Sequence, residues 1–554
     1  MLAAPAWPSM QAQRTPTAGT GAPRLVVLVV VDQMRADYIS SYSHAWTGGL
    51  KEIVTNGAYF TEAAYPYASL KTCAGHGSIT TGVLPSRHGL IDNSWFDPRA
   101  RAFVTCTEDP DARALTFGGQ AGTEHHSARW LMAPTFAELL QRQSNGRAKV
   151  VSLSIKARSA IMMAGHGGAN TTVVWSEEEA ATWSTSTAFA RTAPADVDAY
   201  VRANPIEAPQ FQTWDRARAA ADYQFADQAP GEPAGGATFP HVFEAPIRLT
   251  RATPSAMAAW NTTPFPDVFL QGLAAHLVER RRLGQGPETD VLALGFSGLD
   301  FVGHLYGPRS HEVQDTLFRL DTLLGRLLAT LDARVGRDRY VLALTSDHGV
   351  APLPEQAFPA TGDSRGAGAG AGAGPVTGRT TLQAIGTAIE NALDTRFGRG
   401  SYVEAMASAY VYFRPGVLDR IRANVDITKA VEAAALGARG VARVYWSADL
   451  ASQAPTNDPL LAAARRSYYL GRSGDLAWVL QPNWITSAGT NHGSPYPDDS
   501  RVPLIFFGAG IVPGRYTTAS SPLDVAPTLA ALTGVRMGAV DGVVRHEALR
   551  AKPK

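Results

Sequence analysis

Cysteine is nearly absent from this chain, with two residues, Cys73 and Cys106, among 554. Their number alone excludes a zinc site built from several cysteines. The pair fits either two reduced thiols in a cytosolic protein or one disulfide in an exported protein. Their spacing leaves both possibilities open.

Long apolar runs and an excess of charge are missing as well. No stretch reaches the roughly 20 apolar residues that a membrane-spanning helix needs. The formal net charge of +1 excludes a nucleic-acid-binding protein that depends on bulk positive charge. We therefore expect no membrane span and no nucleic-acid-binding surface, and any specificity for anions has to come from a few placed cations.

The N-terminal residues 1–24 lack the features of an intact signal peptide. This stretch is rich in Ala, Pro, Thr and Gly, and it has neither a basic start nor an apolar central region. We expect a flexible arm or the remnant of a leader here, followed by a single domain over residues 25–554.

The sequence does contain a repeated alternation of strands and helices. Short runs rich in Val, Leu and Ile, such as Leu25–Val31, Val291–Phe296 and Tyr340–Thr345, are typical of strands buried on both faces of a parallel sheet. Between two of them, Ser310–Val335 has leucines at helical spacing, as expected for a helix that covers a sheet. This alternation predicts a doubly wound α/β fold, with a mostly parallel central sheet and helices on both faces.

Two stretches interrupt this alternation. Residues 175–264 are rich in Trp, Pro and Ala with little strand periodicity, and residues 351–486 contain the Gly/Ala tract 366–374. We interpret both stretches as insertions that form cap regions, and the Gly/Ala tract as a mobile linker.

Residues that ligate metals follow the predicted strands. In open α/β sheets ligands bind at the carboxyl ends of the strands, so that side chains far apart in sequence meet at one edge. Three Asp and three His residues at such an edge are a suitable ligand set for two zinc-class ions, which predicts a metallohydrolase. The six residues are Asp32, Asp300, His304, Asp347, His348 and His492.

A stretch after the first strand offers a nucleophile. Tyr65–Gly82 is rich in small and hydroxyl-bearing residues, and it fits a loop that enters a helix whose first turn faces an anion. A bound metal would supply the activation that a free hydroxyl lacks. Chemistry alone leaves the choice open among five hydroxyls, those of Ser69, Thr72, Ser78, Thr80 and Thr81.

Together these motifs resemble those of the alkaline phosphatase superfamily, over most of the chain from about residue 25 onwards. More narrowly, Asn93 and the pair Lys156-x-Arg158 are similar to the phosphate-irrepressible bacterial branch of PafA-type and Sphingomonas-type enzymes. The shared motifs are Asp32, the Thr-x-x-Gly-His run at Thr72–His76, Asp300-x-x-x-His304, Asp347-His348 and His492.

The resemblance implies a role for each of these residues. Thr72 is expected to be the nucleophile that becomes a transient phosphothreonine, and Asn93, Lys156 and Arg158 are expected to hold the phosphoryl oxygens. Two Zn²⁺ ions are implied, the first beside the nucleophile and the second facing the leaving group. The implied ligands are Asp32, Thr72, Asp347 and His348 for the first ion, and Asp300, His304 and His492 for the second.

The Lys-x-Arg pair bears on the class of substrate. Arg158 offers a planar fork and Lys156 a point charge to a dianionic phosphate monoester. A strand-like Ser152–Arg158 would point both side chains to one face. We therefore expect release of inorganic phosphate from small-molecule phosphate monoesters at alkaline pH. The alternatives are a phosphodiesterase or phosphonate monoester hydrolase of the same superfamily, and a metal-stabilised binding protein without activity.

The resemblance also implies a periplasmic or secreted protein. In an exported protein we expect a disulfide between Cys73 and Cys106 that holds the nucleophile loop, with two buried free thiols as the alternative. We further expect a monomer, because the two insertions could block dimerisation.

Overall fold

The computed structural model describes residues 21–118, 122–206, 213–233, 238–242, 254–356 and 377–550. The Gly/Ala tract at 366–374 lies outside the described residues, and so do residues 1–20 of the predicted N-terminal arm.

Strands form where the chain has short runs of β-branched, aromatic and other apolar residues. In chain order they are β1 (Leu25–Val31), β2 (Ala58–Phe60), β3 (Ser94–Asp97), β4 (Ala102–Thr105), β5 (Ala114–Phe117), β6 (Val150–Ser154), β7 (Thr171–Glu177), β8 (Thr182–Ser186), β9 (Thr213–Trp214), β10 (His241–Val242), β11 (Asp290–Phe296), β12 (Tyr340–Thr345), β13 (Gly378–Arg379), β14 (Val403–Ala407), β15 (Tyr410–Phe413), β16 (Val441–Trp446), β17 (Leu476–Leu480), β18 (Trp484–Ile485), β19 (Leu504–Gly508) and β20 (Gly514–Tyr516).

A ten-stranded sheet forms the centre of the fold, in the order β20-β2-β19-β12-β1-β11-β6-β7-β8-β5. Strand β1 lies between β11 and β12 and is parallel to both, and β11, β6 and β7 continue in parallel. All seven residues of β1 are buried, because helices cover both faces of the sheet. Strand β19 runs antiparallel to β12, so the loop before β19 reaches the same edge as the loop after β12.

Helices cover this sheet, as the sequence predicts. The predicted helix at Ser310–Val335 is α11, and the Ser310 side chain caps it by accepting a hydrogen bond from the backbone of Val313. None of the helices in the described ranges is long and apolar enough to cross a membrane. They are α1 (Tyr38–Ser41), α2 (Gly49–Asn56), α3 (Thr72–Thr81), α4 (Pro85–His88), α5 (Phe136–Gln143), α6 (Ala157–Ala164), α7 (Ala195–Ala203), α8 (Pro254–Asn261), α9 (Phe265–Arg280), α10 (Gly298–Tyr306), α11 (His311–Arg334), α12 (Leu382–Phe397), α13 (Val417–Arg422), α14 (Val425–Gly437), α15 (Ser447–Ala451), α16 (Pro459–Ser467), α17 (Pro497–Ser500) and α18 (Val525–Thr533).

The start of the first predicted insertion, about residues 175–264, needs correction. Trp175 lies within β7, and β7 and β8 both belong to the central sheet, so residues up to Ser186 are part of the sheet. Every residue of these two strands is buried. A strand buried on both faces shows no alternation of apolar and polar residues, which is why the sequence gives no strand periodicity here.

Much of the second predicted insertion, about residues 351–486, forms a separate antiparallel sheet in the order β14-β15-β17-β16. Helices α12 and α14 pack together against it, around an apolar cluster that includes Ile389, Val411 and Trp478. The opposite face of this sheet packs towards the central sheet through residues such as Tyr412 and Ala477. The insertion therefore lies beside the edge where the candidate ligands meet.

Candidate functional site

The six predicted metal ligands meet at one edge of the central sheet. Asp32 follows β1, Asp347 and His348 follow β12, and His492 arrives in the loop before β19. Helix α10 begins just after β11 and carries the other two ligands. The side chains form two groups, in each of which the ligand atoms lie within 4.8 Å of one another: Asp32, Asp347 and His348, and Asp300, His304 and His492.

Within each group, the histidine Nε2 atoms lie close to the carboxylate oxygens. His348 Nε2 lies 3.4 Å from Asp32 Oδ1 and 3.4 Å from Asp347 Oδ2. In the other group, the i, i+4 spacing on α10 brings His304 Nε2 to 3.2 Å from Asp300 Oδ1, and His492 Nε2 lies 3.8 Å from that oxygen. Both groups therefore gather nitrogen and oxygen ligands around a small volume.

All three candidate histidine ligands are oriented through their second ring nitrogen. The Nδ1 atoms of His304, His348 and His492 hydrogen bond with the carbonyl oxygens of Thr490, Gly349 and Leu70, at 2.9, 2.9 and 2.6 Å. A carbonyl only accepts, so each Nδ1 carries a proton, and in a neutral imidazole Nε2 then keeps its lone pair. This is the usual arrangement of metal-binding histidines.

Electrostatics keep two of these imidazoles neutral. Burial lowers the pKa of His348 to about 4. Burial, together with the neighbouring His348 and Lys71, also holds the pKa of His492 well below its ordinary value. Neutral imidazole is the form that binds a metal ion.

The three carboxylates differ in their electrostatic environment. Burial, with Asp300 and Asp347 nearby, raises the pKa of Asp32 well above its ordinary value. Burial acts the same way on Asp300 and Asp347, but Lys156 holds the pKa of Asp300 well below its ordinary value and His348 lowers the pKa of Asp347 to about 2. Three buried carboxylates so close together need additional positive charge to ionise together.

Unpartnered buried atoms test whether this site fits metal ions. Asp32 Oδ1, Thr72 Oγ1, Asp347 Oδ2 and His348 Nε2 are buried and have no hydrogen-bond partner within the described part of the chain. Leaving such atoms without a partner is costly. All four are lone-pair donors that a metal ion would satisfy, so the residues fit the ions that the resemblance implies.

The Thr72 hydroxyl differs from the four other candidate hydroxyls. Ser69 donates to the carbonyl of Ile91, Thr80 to those of His76 and Met162, and Thr81 to that of Gly77, whereas Ser78 pairs with His88. Thr72 Oγ1 alone of the five has no partner among the described residues. Its position at the start of α3 also leaves it clear of the helix backbone.

Helix α3 packs directly against the ligand residues. His76 Nδ1 lies 3.0 Å from the carbonyl oxygen of Thr72 and 3.2 Å from Asp347 Oδ2, so His76 links helix α3 to one of the candidate ligand groups. Gly75 permits this approach, since a Cβ there would lie closer than 3.0 Å to the backbone and Cβ of Asp347. The close approach of α3 to Asp347 therefore explains why the Thr-x-x-Gly-His motif has a glycine at this position.

Asn93 and the disulfide hold the first turn of α3. Asn93 Oδ1 accepts a hydrogen bond from the backbone of Cys73 at 2.9 Å. Cys73 and Cys106 form a disulfide with a Cα–Cα distance of 6.5 Å, and the backbone of Cys106 donates to the carbonyl of Asn93 at 2.9 Å. The expected disulfide is therefore present next to Thr72, and no free thiol remains in the chain.

Lys156 and Arg158 lie at the start of a helix, which corrects the expected strand over Ser152–Arg158. Strand β6 ends at Ser154, Lys156 is the N-cap of α6, and Arg158 lies in its first turn. The apolar and β-branched residues that suggest a strand end at Ile155, and the following Ala, Arg and Met residues favour a helix.

The two cations also differ in their contacts. Lys156 Nζ binds Asp32 Oδ2 at 2.6 Å and also binds Asp300 Oδ2, so it joins the two ligand groups. The ammonium lies 5.1 Å from the ring centre of Phe301. Arg158 Nε is buried and has no hydrogen-bond partner in the described ranges. The guanidinium of Arg158 therefore has an unused donor.

Gln33 is a site residue that the motifs do not reveal. Its side-chain amide donates to Asp300 Oδ1 at 2.8 Å, and its backbone lies in the left-handed region, with φ of 67°. Gln33 directly follows Asp32 at the end of β1, and its side chain reaches Asp300, which follows the neighbouring strand β11. Its place next to Asp32 is the only sequence signal that could have pointed to it.

The comparisons with known proteins agree with this geometry. The model of the type I phosphodiesterase / nucleotide pyrophosphatase family matches residues 26–493. The chain belongs to this family. The resemblance to the alkaline phosphatase superfamily and the α/β fold are thereby confirmed.

Individual relatives of this family member span most of its length. The alkaline phosphatase PhoV of Synechococcus elongatus is 29% identical over 538 residues, covering 93% of this chain and 90% of the relative. The crystal structure of wild-type alkaline phosphatase PafA has a TM-score of 0.82 and 26% identity, covering 96% of this chain and 100% of PafA. A protein of Myroides odoratus named calcium-transporting ATPase is 27% identical over 525 residues, covering 92% of this chain and 91% of the relative.

Proposed function

We propose that the chain is a metal-dependent phosphate monoester hydrolase, an alkaline phosphatase that acts through a phosphothreonine at Thr72. The observation that carries the proposal is the buried Thr72 hydroxyl, which has no partner among the described residues, on a helix that contacts one of the two groups of metal-ligand residues through His76 and Asp347. Two relatives that span most of the chain, PhoV and PafA, are named alkaline phosphatases, which supports the same activity.

The reaction takes place in two steps at phosphorus. Thr72 Oγ forms a bond to phosphorus while the bond to the ester oxygen breaks, and the leaving alkoxide takes up a proton. Water then attacks the phosphothreonine, which releases inorganic phosphate and restores the hydroxyl. When bound, two metal ions supply charge that lowers the pKa of the nucleophilic oxygens and stabilises the leaving oxygen.

Each side chain around Thr72 has a separate task in this scheme. Arg158 directs its unused guanidinium donor to a phosphoryl oxygen, where a planar cation matches two oxygens at once. Lys156 balances Asp32 and Asp300 and adds positive charge at the phosphoryl position. Asn93 holds the backbone of Cys73, so that the Thr72 turn stays fixed, and its amide nitrogen remains available to the substrate.

The ligand set suits zinc in both groups. In our proposal, Asp32, Thr72, Asp347 and His348 hold one ion, and Asp300, His304 and His492 hold the other. The disulfide next to Thr72 supports an exported protein, periplasmic or secreted, since disulfides persist in oxidising compartments. We propose further that the enzyme acts as a monomer.

The monoesterase proposal is tested by comparing hydrolysis of a phosphate monoester and a phosphate diester that have the same leaving group. We expect kcat/KM for p-nitrophenyl phosphate to exceed that for bis-p-nitrophenyl phosphate by about 10³-fold or more at pH 9, because Lys156 and Arg158 favour a dianion. Metal content measured on the same sample should be about two zinc ions per chain. ATP belongs in the same assay, because one relative is named an ATPase.

The second candidate function is a phosphodiesterase or phosphonate monoester hydrolase. The description of the matching family, type I phosphodiesterase / nucleotide pyrophosphatase, favours it. A preference for the diester would establish this function and would contradict the substrate role of Lys156 and Arg158. If a fully metallated sample cleaves neither ester, both enzymatic functions are contradicted, and a metal-stabilised binding protein without activity is the remaining alternative.

Removal of the Arg158 guanidinium should change this selectivity. We expect Arg158→Ala to lower kcat/KM for the monoester by about 10²-fold or more, and for the diester much less, because the diester has one charge fewer to bind. Arg99→Ala, in the exposed turn between β3 and β4, is the matched control and should behave as wild type. Equal losses on both esters in Arg158→Ala would contradict recognition of the dianion by Arg158.

A further inference from the structure

A pocket lies between the sheet of the second insertion and the loops that flank the ligand edge. With its open mouth it comprises about 950 Å³ of space outside protein atoms, part of which is open solvent. Its walls come from β15, β17, α16 and the segments 483–486 and 491–495. We call it the insertion pocket.

The walls of the insertion pocket favour a flat apolar group. Alanines at several wall positions leave room, and the rings of Tyr410 and Trp484 provide apolar surface. Trp484 is held in place by Gly440, which has φ of 84° and at which a Cβ would lie closer than 3.0 Å to the indole ring. The ring of Trp484 is therefore a fixed wall.

Two polar atoms of the pocket walls have no partner within the described ranges. Trp484 Nε1 is a buried donor, and Asp499 Oδ1 is a buried acceptor on a residue that is 1% exposed. The other carboxylate oxygen of Asp499 accepts from the backbones of Gly493 and Ser494, at 3.0 and 2.8 Å, which fixes the side chain. One free donor and one free acceptor on rigid walls suit a ligand that carries a hydrogen-bonding group.

The insertion pocket shares two residues with the surroundings of the catalytic site. His492 is in its wall, and its Nε2 faces Asp300. Lys71, directly before Thr72, also lines the pocket and donates to the carbonyl of His492 at 2.7 Å. The pocket therefore adjoins the ligand group of Asp300, His304 and His492, on the side assigned to the leaving group.

From this placement we propose that the insertion pocket holds the leaving group of the substrate and that it selects aromatic phosphate esters over small alkyl ones. This inference rests on the proposed monoesterase function, since the pocket defines the alcohol part of that substrate. A flat aromatic alcohol packs between Tyr410 and Trp484, and a hydroxyl or amino group on its ring bonds with Asp499 Oδ1 or Trp484 Nε1.

The decisive variant narrows the pocket without touching the catalytic residues. Ala409 lines the pocket at the turn between β14 and β15, where a larger side chain extends into the open space. We expect Ala409→Phe to raise KM for 2-naphthyl phosphate by about tenfold or more, the size of a lost apolar contact. Its kcat/KM for methyl phosphate should stay within about twofold of the wild-type value. Ala433→Phe, on the exposed side of α14, is the matched control and should change neither.

A binding measurement separates this inference from the proposed function. Calorimetric titration with 2-naphthol requires no turnover, and we expect one molecule per wild-type chain and strongly reduced binding to Ala409→Phe. If wild type cleaves neither ester but binds 2-naphthol in this manner, the monoesterase proposal fails and the pocket remains. Equal binding to both proteins, no binding at all, or equal loss on both esters would overturn the pocket assignment. Trp484→Phe, which replaces the indole by a smaller ring and removes the Nε1 donor, should weaken most the ligands that carry a hydrogen-bond acceptor.

Discussion

Thr72→Ala is expected to lower the rate of phosphate release by about 10³-fold or more, at least about 4 kcal/mol in activation free energy. Among the five candidate hydroxyls, that of Thr72 is the only one without a partner within the described residues. The variant should keep its fold, because the lost oxygen makes no hydrogen bond. Hydrolysis of p-nitrophenyl phosphate and circular dichroism on the same sample provide the measurements.

Two further variants make the Thr72 assignment specific. Thr72→Ser keeps a hydroxyl at the same place and should retain clearly measurable activity. Thr81→Ala, in the last turn of the same helix, loses one hydrogen bond to the carbonyl of Gly77 and one from the backbone of Val83, and it should remain close to wild type in rate. Brief reaction followed by acid quench and mass spectrometry should find a phosphoryl group on the peptide containing Thr72. Full activity in Thr72→Ala would refute the phosphothreonine scheme.

The ligand edge could be predicted from the sequence because four of the six candidate ligands lie within four residues after a buried strand of the central sheet. They are Asp32, Asp300, Asp347 and His348. Asp32 directly follows β1, Asp347 follows β12 after one intervening residue, and parallel strands bring their carboxyl ends together. Asp300 and His304 lie four residues apart on α10, a spacing that places both on one face. Local pattern and sheet topology therefore suffice for five of the six candidate ligands, whereas His492 lies in a loop twelve residues before β19.

Other features of the site depend on contacts between distant segments, and no local pattern encodes them. The bonds of Lys156 to Asp32 and Asp300 arise from packing across the strand ends. The left-handed backbone of Gln33, a non-glycine residue, gives no signal in the sequence. The predicted start of the first insertion was wrong because every residue of β7 is buried. Apolar and polar residues therefore do not alternate along this strand, and the sequence gives no strand signal there.

Removal of the metal ions is expected to abolish activity and to lower stability. Without them, the three buried carboxylates of Asp32, Asp300 and Asp347 lose most of the positive charge that balances them. Lys156 binds Asp32 and Asp300, and burial raises the pKa of Asp32. Binding to the native state alone stabilises it by about 4 kcal/mol when the free ion is at about 1,000 times its Kd. Chelation followed by dialysis should therefore lower the midpoint of thermal unfolding and reduce hydrolysis by about 10³-fold or more.

Reconstitution with zinc should restore both the unfolding midpoint and the activity, and it should require two ions per chain. His304→Ala removes one ligand from the Asp300 group, so this variant should bind one ion tightly and lose most of its activity. His44→Ala, an exposed histidine away from the ligand edge, is the matched control and should bind two. If complete chelation changes neither the midpoint of thermal unfolding nor the rate of hydrolysis, the site does not depend on metal ions. The protein alone would then balance the charge of the buried carboxylates.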